Sequence, residues 1–423
     1  MTTSSHRRVA HAIAACFALL GDTAYSQVVP LTLDEALELA ASRSQQLVAE
    51  SAAATAAREE AIAASTRPDP VLTASLDNVP IEGPHEWSLT RDFMTMRSIG
   101  IERELVGDTK REARTALYER KAEAADAARS LALVTLKQQT AAAWFDRFFS
   151  GRAAEMLAAQ RASADALVSA ADVAYGNGTG TQSDVLAARA AVARNDDALA
   201  AVQREVAVAR ARLARWIGDD DALRPLAPPP PTGDAAVHHG NLEQQLAQHP
   251  DIQLMLRTEA AAAAEAEVAR ADRRPNWTIG VEYQERGSDF DDMVSLNASR
   301  PLQLHRAQRQ DRQLAASLAT ASRARAEREE ETRAHLLEAH TLIETLASNR
   351  ARLERYATTL APLADERVVA ATSAYRNGKG TLSDVIEART AVIETRLEQL
   401  GLEAETAKVW AELEYLIPAE AGN

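Results

Sequence analysis

The sequence predicts an α+β fold with internal duplication: mainly long antiparallel coiled-coil helices, plus four β-strands, two in each copy. Three observations carry the prediction. Prolines sit in a few places only, and the 140 residues between Pro84 and Pro225 hold none, being mostly Ala, Glu, Arg, Leu and Gln. Apolar residues recur in heptads, with Leu346, Leu353 and Leu360 on one seam, Leu342, Tyr356 and Leu363 on the other, and Ile386, Ile393 and Leu400 repeating the spacing. Residues 174–189 read AYGNGTGTQSDVLAAR and residues 374–389 read AYRNGKGTLSDVIEAR, identical at eleven of sixteen positions.

Composition narrows the class. The 423 residues carry a net charge of −14, with 46% hydrophobic but only 4% aromatic residues and one cysteine. Alanine supplies nearly half of the hydrophobic set, which suits close helix packing better than a globular core. The acid surplus argues against a nucleic-acid partner, because a phosphate-binding surface needs clustered Lys and Arg. A single cysteine excludes a disulfide framework and any multi-cysteine metal site. No apolar run reaches 18 residues, so transmembrane helices are not expected.

The elements follow in order. Residues 1–26 read as a secretory signal, with Arg7 and Arg8, an apolar stretch from Ala12 to Leu20, and Ala24-Tyr25-Ser26 before Gln27. A lipoprotein signal ending at Cys16 is the competing reading, but the apolar run continues past that cysteine. Residues 27–216 form the first copy, 217–241 a Pro-rich linker or equatorial segment, 242–417 the second copy and 418–423 a tail.

Each copy is expected to open with a helix of about 35 residues, Leu33 to Thr66 or Leu242 to Arg273. A strand pair follows, near 70–105 or 277–300. A long helix runs from Leu105 to Tyr175, or Leu304 to Tyr375, with Pro362 predicted to kink the latter. A shorter helix returns over Gln182 to Trp216, or Leu382 to Tyr415. At 1.5 Å per residue a long helix spans about 100 Å and a short one about 50 Å, so two short helices end to end match one long one.

The strands alternate. Trp277, Ile279, Val281 and Tyr283 interleave with Thr278, Gly280, Glu282 and Gln284, and Val294, Leu296 and Ala298 with Ser295, Asn297 and Ser299. Val71 to Leu76 and Leu89 to Ile101 make a less regular pair, with Gly83-Pro84 and Gly287-Ser288 as turns. In an exported chain this alternation fits a membrane barrel with lipid outside and water inside. Four strands cannot close a barrel, whereas three chains give twelve strands. Met94 and Met96 are assigned to one strand face, towards lipid or core.

With these residues on the page, the sequence resembles the TolC-like outer-membrane efflux channel family. The resemblance rests on the paired turns, Tyr175 to Leu186 and Tyr375 to Ile386, and on the helix–strand–strand–helix order. Thr32 to Leu37 and Arg67-Pro68-Asp69-Pro70-Val71-Leu72 through Asn78 look most like the heavy-metal branch, the CzcC and CusC type. The resemblance implies a homotrimer with a twelve-stranded outer-membrane β-barrel set in lipid and an α-barrel tunnel across the periplasm. It implies a periplasmic adaptor (membrane fusion) protein and an inner-membrane pump of the resistance–nodulation–division (RND) type as partners. It implies no enzyme activity and no cofactor; the cargo would be heavy-metal cations, with organic drugs as the alternative. A secreted coiled-coil structural or adaptor protein is the reading from another class, and it leaves the strand alternation unexplained.

The candidate site is the pair of glycine turns, which the resemblance makes the adaptor-docking tips. Its residues are Tyr175, Gly176, Gly178, Gly180, Thr181, Ser183 and Asp184, and Tyr375, Gly378, Gly380, Thr381, Ser383 and Asp384. The glycines are expected to allow positive φ, and Thr181 or Ser183 and Thr381 or Ser383 to cap the returning helices. The aspartates lie in the first turn, where a helix favours negative charge. The same residues also suffice simply to build two helical hairpins. Tyr175 and Tyr375 are expected to pack the hairpin or constrict the entrance. Asp172, Asp365, Glu366 and Arg367 are candidates for a gate. The nine histidines show no ligand spacing, His335 and His340 being five apart, and no metal site is expected.

Overall fold

The computed structural model describes residues 29–232 and 242–416. The signal at 1–26 with Cys16, His238 and His239 in the linker, and the tail at 418–423 lie outside the described residues.

The chain begins with a sharp departure from expectation. The first helix is two: α1 (Leu33–Arg43) and α2 (Gln45–Ser65), parted at Ser44, whose extended backbone (φ −69°, ψ 109°) breaks the helix while its hydroxyl accepts from Leu47 N. A serine that can cap offers the backbone an alternative to helix, and here it takes it. Strands β1 (Val71–Asp77) and β2 (Met96–Leu105) come next. Helix α3 (Asp108–Gly176) runs 69 residues without a break, about 100 Å. The return helix α4 (Gln182–Ile217) ends at Gly218, and the short α5 (Asp219–Ala222) follows.

In the second half, the expected opening helix is again divided, into α6 (Leu242–Leu246) and α7 (Pro250–Ala271), with His249 as N-cap and Pro250 in the first turn. Strands β3 (Trp277–Glu285) and β4 (Met293–Ser299) lead to α8 (Gln310–Arg355), α9 (Ala361–Arg376) and α10 (Leu382–Glu414). The kink expected from Pro362 takes a defined form. Tyr356–Leu360 is a π-turn, and Ala361 N donates to Tyr356 O, five residues back. Pro362 lacks an N–H and its ring collides with the carbonyl four residues earlier in a regular helix; one widened turn relieves both problems.

Cross-links show how the long and short helices lie. Arg58 of α2 pairs with Asp126 of α3, and Arg129 of α3 donates to Ser51. Further along α3, Arg161 pairs with Asp196 of α4, and Asn195 donates to Leu157 O. So α2 lies beside the first part of α3 and α4 beside the second, in the stacking that the length match predicts. Helix α7 packs on α3 and α8, with Arg257–Glu123 at 3.2 Å and Arg328–Glu259 at 2.7 Å. The seven-residue period is visible in burial: Leu47, Ala54 and Ala61 are the buried residues of α2, and Leu157, Ala164 and Ala171 are buried along α3. The heptad named first behaves differently. Leu346 is buried, Leu353 half-buried, and Leu360 and Leu363 exposed, so one chain covers only part of that seam.

The main core sits midway along α3. Trp144 and Phe145 are fully buried there, and Trp144 stacks on Phe148 at 5.6 Å with ring planes 3° apart. Around them gather Leu31 and α1, Leu213 and Ile217 from the end of α4, Leu242 and Leu246, Ile343 and Leu346, and Trp410 and Leu413 from the end of α10. Leu31 bridges Leu226 in parallel, and Arg224 makes a two-pronged pair with Glu35 at 2.7 and 3.1 Å. The start of the 217–241 segment is therefore built into this core. Four of the scarce aromatics, Trp144, Phe145, Phe148 and Phe149, lie here, mid-helix.

The strands form one antiparallel sheet in the order β1-β2-β3-β4. Its register puts Leu72, Ile101, Val281 and Leu296 in one row and Ala74, Ile99, Tyr283 and Val294 in the next, all on the same face. The opposite face carries rows such as Thr73, Gly100, Glu282 and Ser295. Met96 pairs with Asp77, on the face opposite the Leu72 row, and Met94 precedes the strand; the assignment of both methionines to one apolar strand face is corrected.

Burial predicts the effect of substitutions at the core. Trp144→Ala should lower stability by about 3–5 kcal/mol, whereas Glu155→Ala on the solvated face of α3 should change it by less than about 0.5 kcal/mol. Thermal unfolding in detergent measures both.

Candidate functional site: the paired helical tips

Each tip is a helix end, a tight turn and a capped helix start. In the first, Thr179 N donates to Ala174 O at 2.9 Å and Gly178 N to Tyr175 O at 3.0 Å. In the second, Lys379 N donates to Ala374 O at 2.8 Å and Gly378 N to Tyr375 O at 3.0 Å. This is the Schellman pattern, which satisfies the last carbonyls of α3 and α9 and requires a left-handed residue after the cap. Gly178 (φ +72°) and Gly378 (φ +68°) fill that position.

The other glycines act differently from expectation. Gly180 and Gly380 have ordinary φ but no room: an added Cβ would lie 3.0 or 3.1 Å from the methyl of Ala174 or Ala374. Gly176 is the last residue of α3 with open space around it, and the second tip carries Arg376 there. The expectation of positive φ thus holds for one glycine per tip; a second is fixed by close approach, and Gly176 by neither.

Capping is resolved in favour of the threonines. Thr181 Oγ1 accepts from Asp184 N at 3.2 Å, and the Asp184 carboxylate accepts from Thr181 N at 2.9 Å; Thr381 and Asp384 repeat this at 3.2 and 2.8 Å. Both are capping boxes. Ser183 and Ser383 lie two residues past the caps, inside the first turn, and are not the capping residues. The backbone N–H and hydroxyl of Thr381 hold the Asp384 carboxyl below its ordinary value.

The two tips meet. Ala171, Val185 and Ala188 from the first hairpin form a small cluster with Leu382 and Ile386 from the second, and Tyr375 packs against it. Tyr175 is exposed. The matching tyrosines therefore do different things: Tyr375 joins the hairpins, and Tyr175 presents its ring to whatever lies outside this chain.

Of the four gate candidates, two are paired inside their own hairpins. Asp172 meets Arg189 at 3.2 Å, and Asp365 meets Arg396 at 2.9 and 3.0 Å, both pairs half-exposed. Arg367 lies near enough to Asp384 to contribute to lowering its carboxyl. Glu366 is exposed and forms no ion pair among the described residues.

One group that the sequence reading missed lies away from the tips. His249 and His335 stack with ring centroids 4.4 Å apart, and Asp251, Glu331 and Glu338 surround the His335 imidazole. Burial holds His249 well below the usual imidazole range, at about 4. His335 is not partnered by His340 but by Glu331 and Glu338, four residues before and three after, and by residues 84 and 86 positions away. Only the Glu331–His335–Glu338 spacing was legible along the chain.

No family model matches the sequence, and none of the curated proteins does. Solved structures do. The outer membrane protein VceC of Vibrio cholerae superimposes with a TM-score of 0.75 at 20% identity, covering 91% of this chain and 95% of that one. The outer-membrane channel OprN gives 0.77 at 20% identity over 90% and 89%, and CusC, a protein described by its transmembrane channel formation, 0.76 at 15% over 92% and 93%.

The cap geometry predicts graded effects. Gly178→Ala and Gly378→Ala should each cost about 1–2 kcal/mol through left-handed strain, and Thr181→Ala or Thr381→Ala about 1 kcal/mol through loss of the cap. Gly176→Arg should cost little. Amide hydrogen exchange in the first turns of α4 and α10 measures all of these. Because the Asp384 carboxyl is lowered on folding, its contribution stands above the ordinary carboxylate pKa and fades as pH falls below about 4. In its fold, from the sheet to the paired tips, the chain is similar to these outer-membrane channels.

Proposed function

We propose that this chain is one subunit of a homotrimeric outer-membrane channel, the passive and gated exit duct of a tripartite efflux system. The observation that carries the reading is the sheet. Its apolar face is exposed row by row, with Leu296 79% and Leu72 70% accessible, and β1 and β4 have open outer edges among the described residues. A face of that kind needs lipid or protein against it, and open edges are not tolerated in a bilayer. Three copies give twelve strands, a closed barrel in the usual even-numbered range.

The helical part supports the same assembly. The chain exposes 26971 Å², against about 16,000 Å² for a compact monomer of its mass. The half-covered seam at Leu360 and Leu363 is part of that excess. Helices of about 100 Å below a sheet suit a tunnel reaching across the periplasm. At its end the paired tips, with Tyr175 outermost, would receive a periplasmic adaptor, and an inner-membrane RND-type pump would drive transport. Asp172, Asp365, Glu366 and Arg367 would set the width of the entrance.

Heavy-metal cations are the proposed cargo, supported by the Thr32 to Leu37 and Arg67 to Asn78 segments. Organic drugs are the second reading, which the fold fits equally. The duct itself performs no chemistry. A secreted coiled-coil adaptor would leave the apolar sheet face without a role.

Two measurements test this. Membrane fractionation should recover the chain with outer membranes, resistant to extraction by salt, and Leu296→Arg should lower barrel stability by about 2–4 kcal/mol, with Gln284→Arg on the opposite face far milder. Recovery as a soluble protein refutes the channel. Deletion of the gene should sensitise cells to zinc, cobalt, cadmium, copper or silver; new drug sensitivity with unchanged metal tolerance transfers the cargo to the second reading.

A further inference from the structure

We infer that Asp251, Glu331 and His335 form a binding site for a divalent transition-metal ion of borderline character, Zn²⁺ or Co²⁺, which clamps the start of α7 to the middle of α8. The inference stands on the geometry of one chain and does not depend on the channel reading or on its cargo.

Three ligand atoms converge. His335 Nε2 lies 3.0 Å from Asp251 Oδ2 and 3.6 Å from Glu331 Oε1, and all three atoms fall within 4.8 Å of one another. A tetrahedral ion bound at 2.0–2.1 Å needs ligand atoms about 3.3 Å apart. The observed separations straddle that value, so small side-chain shifts would close the site. Glu331 and His335 are one helical turn apart on α8, and Asp251 arrives from the first turn of α7.

The imidazole is aimed. Its Nδ1 has a Glu338 oxygen at 3.2 Å, and a carboxylate beside the second ring nitrogen is the arrangement that orients a metal-binding ring. Its Nε2 is hydrogen-bonded to Asp251 Oδ2 at 3.0 Å. A neutral imidazole carries one N–H, so an ion would take the place of the proton between Nε2 and Asp251, with the ring proton moving to Nδ1 towards Glu338. Among the described residues, no Lys or Arg pairs with Asp251, Glu331 or Glu338, so the three carboxylates are not neutralised by the protein. His335 is 13% exposed, Asp251 22% and Glu331 40%, so a cation would be half-buried with the Glu331 side open to water. His249 packs on the ring face at 4.4 Å and uses its own Nδ1 to accept from Asp251 N, holding the α7 terminus in place. Segment 129–140 of α3, the counterpart stretch in the first half, has neither histidine nor carboxylate, so there would be one such site per chain.

One His with two carboxylates and open positions suits Zn²⁺ or Co²⁺ better than Mg²⁺, which prefers an octahedral oxygen shell. The consequence is mechanical. The clamp sits directly after α6, whose Leu242 and Leu246 belong to the main core, and would fix where α7 docks on α8.

The test uses the full chain in detergent, stripped with EDTA and titrated calorimetrically with ZnCl₂ at pH 7.5. Expected are one Zn²⁺ per chain, a higher unfolding temperature on binding, and no saturation by MgCl₂. His335→Gln, Glu331→Gln and Asp251→Asn should each weaken binding at least tenfold; Glu338→Gln, a positioning change, should weaken it tenfold or more at unchanged stoichiometry. His340→Gln should leave binding as it is. Each variant is compared at an unfolding temperature measured without metal, and Co²⁺ absorption on the unaltered chain gives a reading independent of any substitution. Zn²⁺ binding that survives His335→Gln overturns the site. So does no uptake at pH 7.5.

Discussion

A helix of 69 residues gains nothing from its length unless its successive faces are buried, because internal hydrogen bonds only replace those to water. Helix α3 meets this constraint by changing partners along its course. It packs on α2 and α7 near the sheet, on α1 and α10 around Trp144, and on α4 towards the tip. Alanine at the seven-residue positions brings these partners close, and the ion pairs between helices set their order along the axis. With α3 unbroken and flanked by these partners, sheet and tips lie at opposite ends of one element.

The energetic weight is uneven. Around Trp144 the core is aromatic and dry, and segments from every part of the chain end in it. At the tips only five buried residues join the two hairpins, so local order there rests on backbone chemistry, the Schellman turn before and the capping box after. A weakly buried end fixed by local hydrogen bonds keeps its shape without being locked to its neighbour. That combination suits the docking and opening role proposed for this end.

Much of this was legible in the residues. Proline spacing outlined the helices, period two found the strands and their apolar face, and the repeated Tyr-x-Asn-Gly-x-Gly-Thr segment located both tips. Local rules read less well wherever two local choices competed. Ser44 was free to continue a helix or cap one, and Thr181 and Ser183 were both eligible caps. Gly176, Gly178 and Gly180 differ only in φ and in the space beside them. Pro362 announced a distortion, and a π-turn absorbs it.

By itself, then, the sequence determined what depends on neighbours a few residues away: the long helices, the strand alternation, the position of both turns and the aspartates in the first turns after them. Only the tertiary structure decided what depends on distant segments meeting. It set the sheet order that brings Leu72 and Leu296 into one row. It placed mid-helix aromatics in a shared core, and it brought Asp251 against Glu331 and His335 across some 80 residues. The physical reason is that hydrogen-bond geometry and backbone strain act along the chain, while burial and charge act through space.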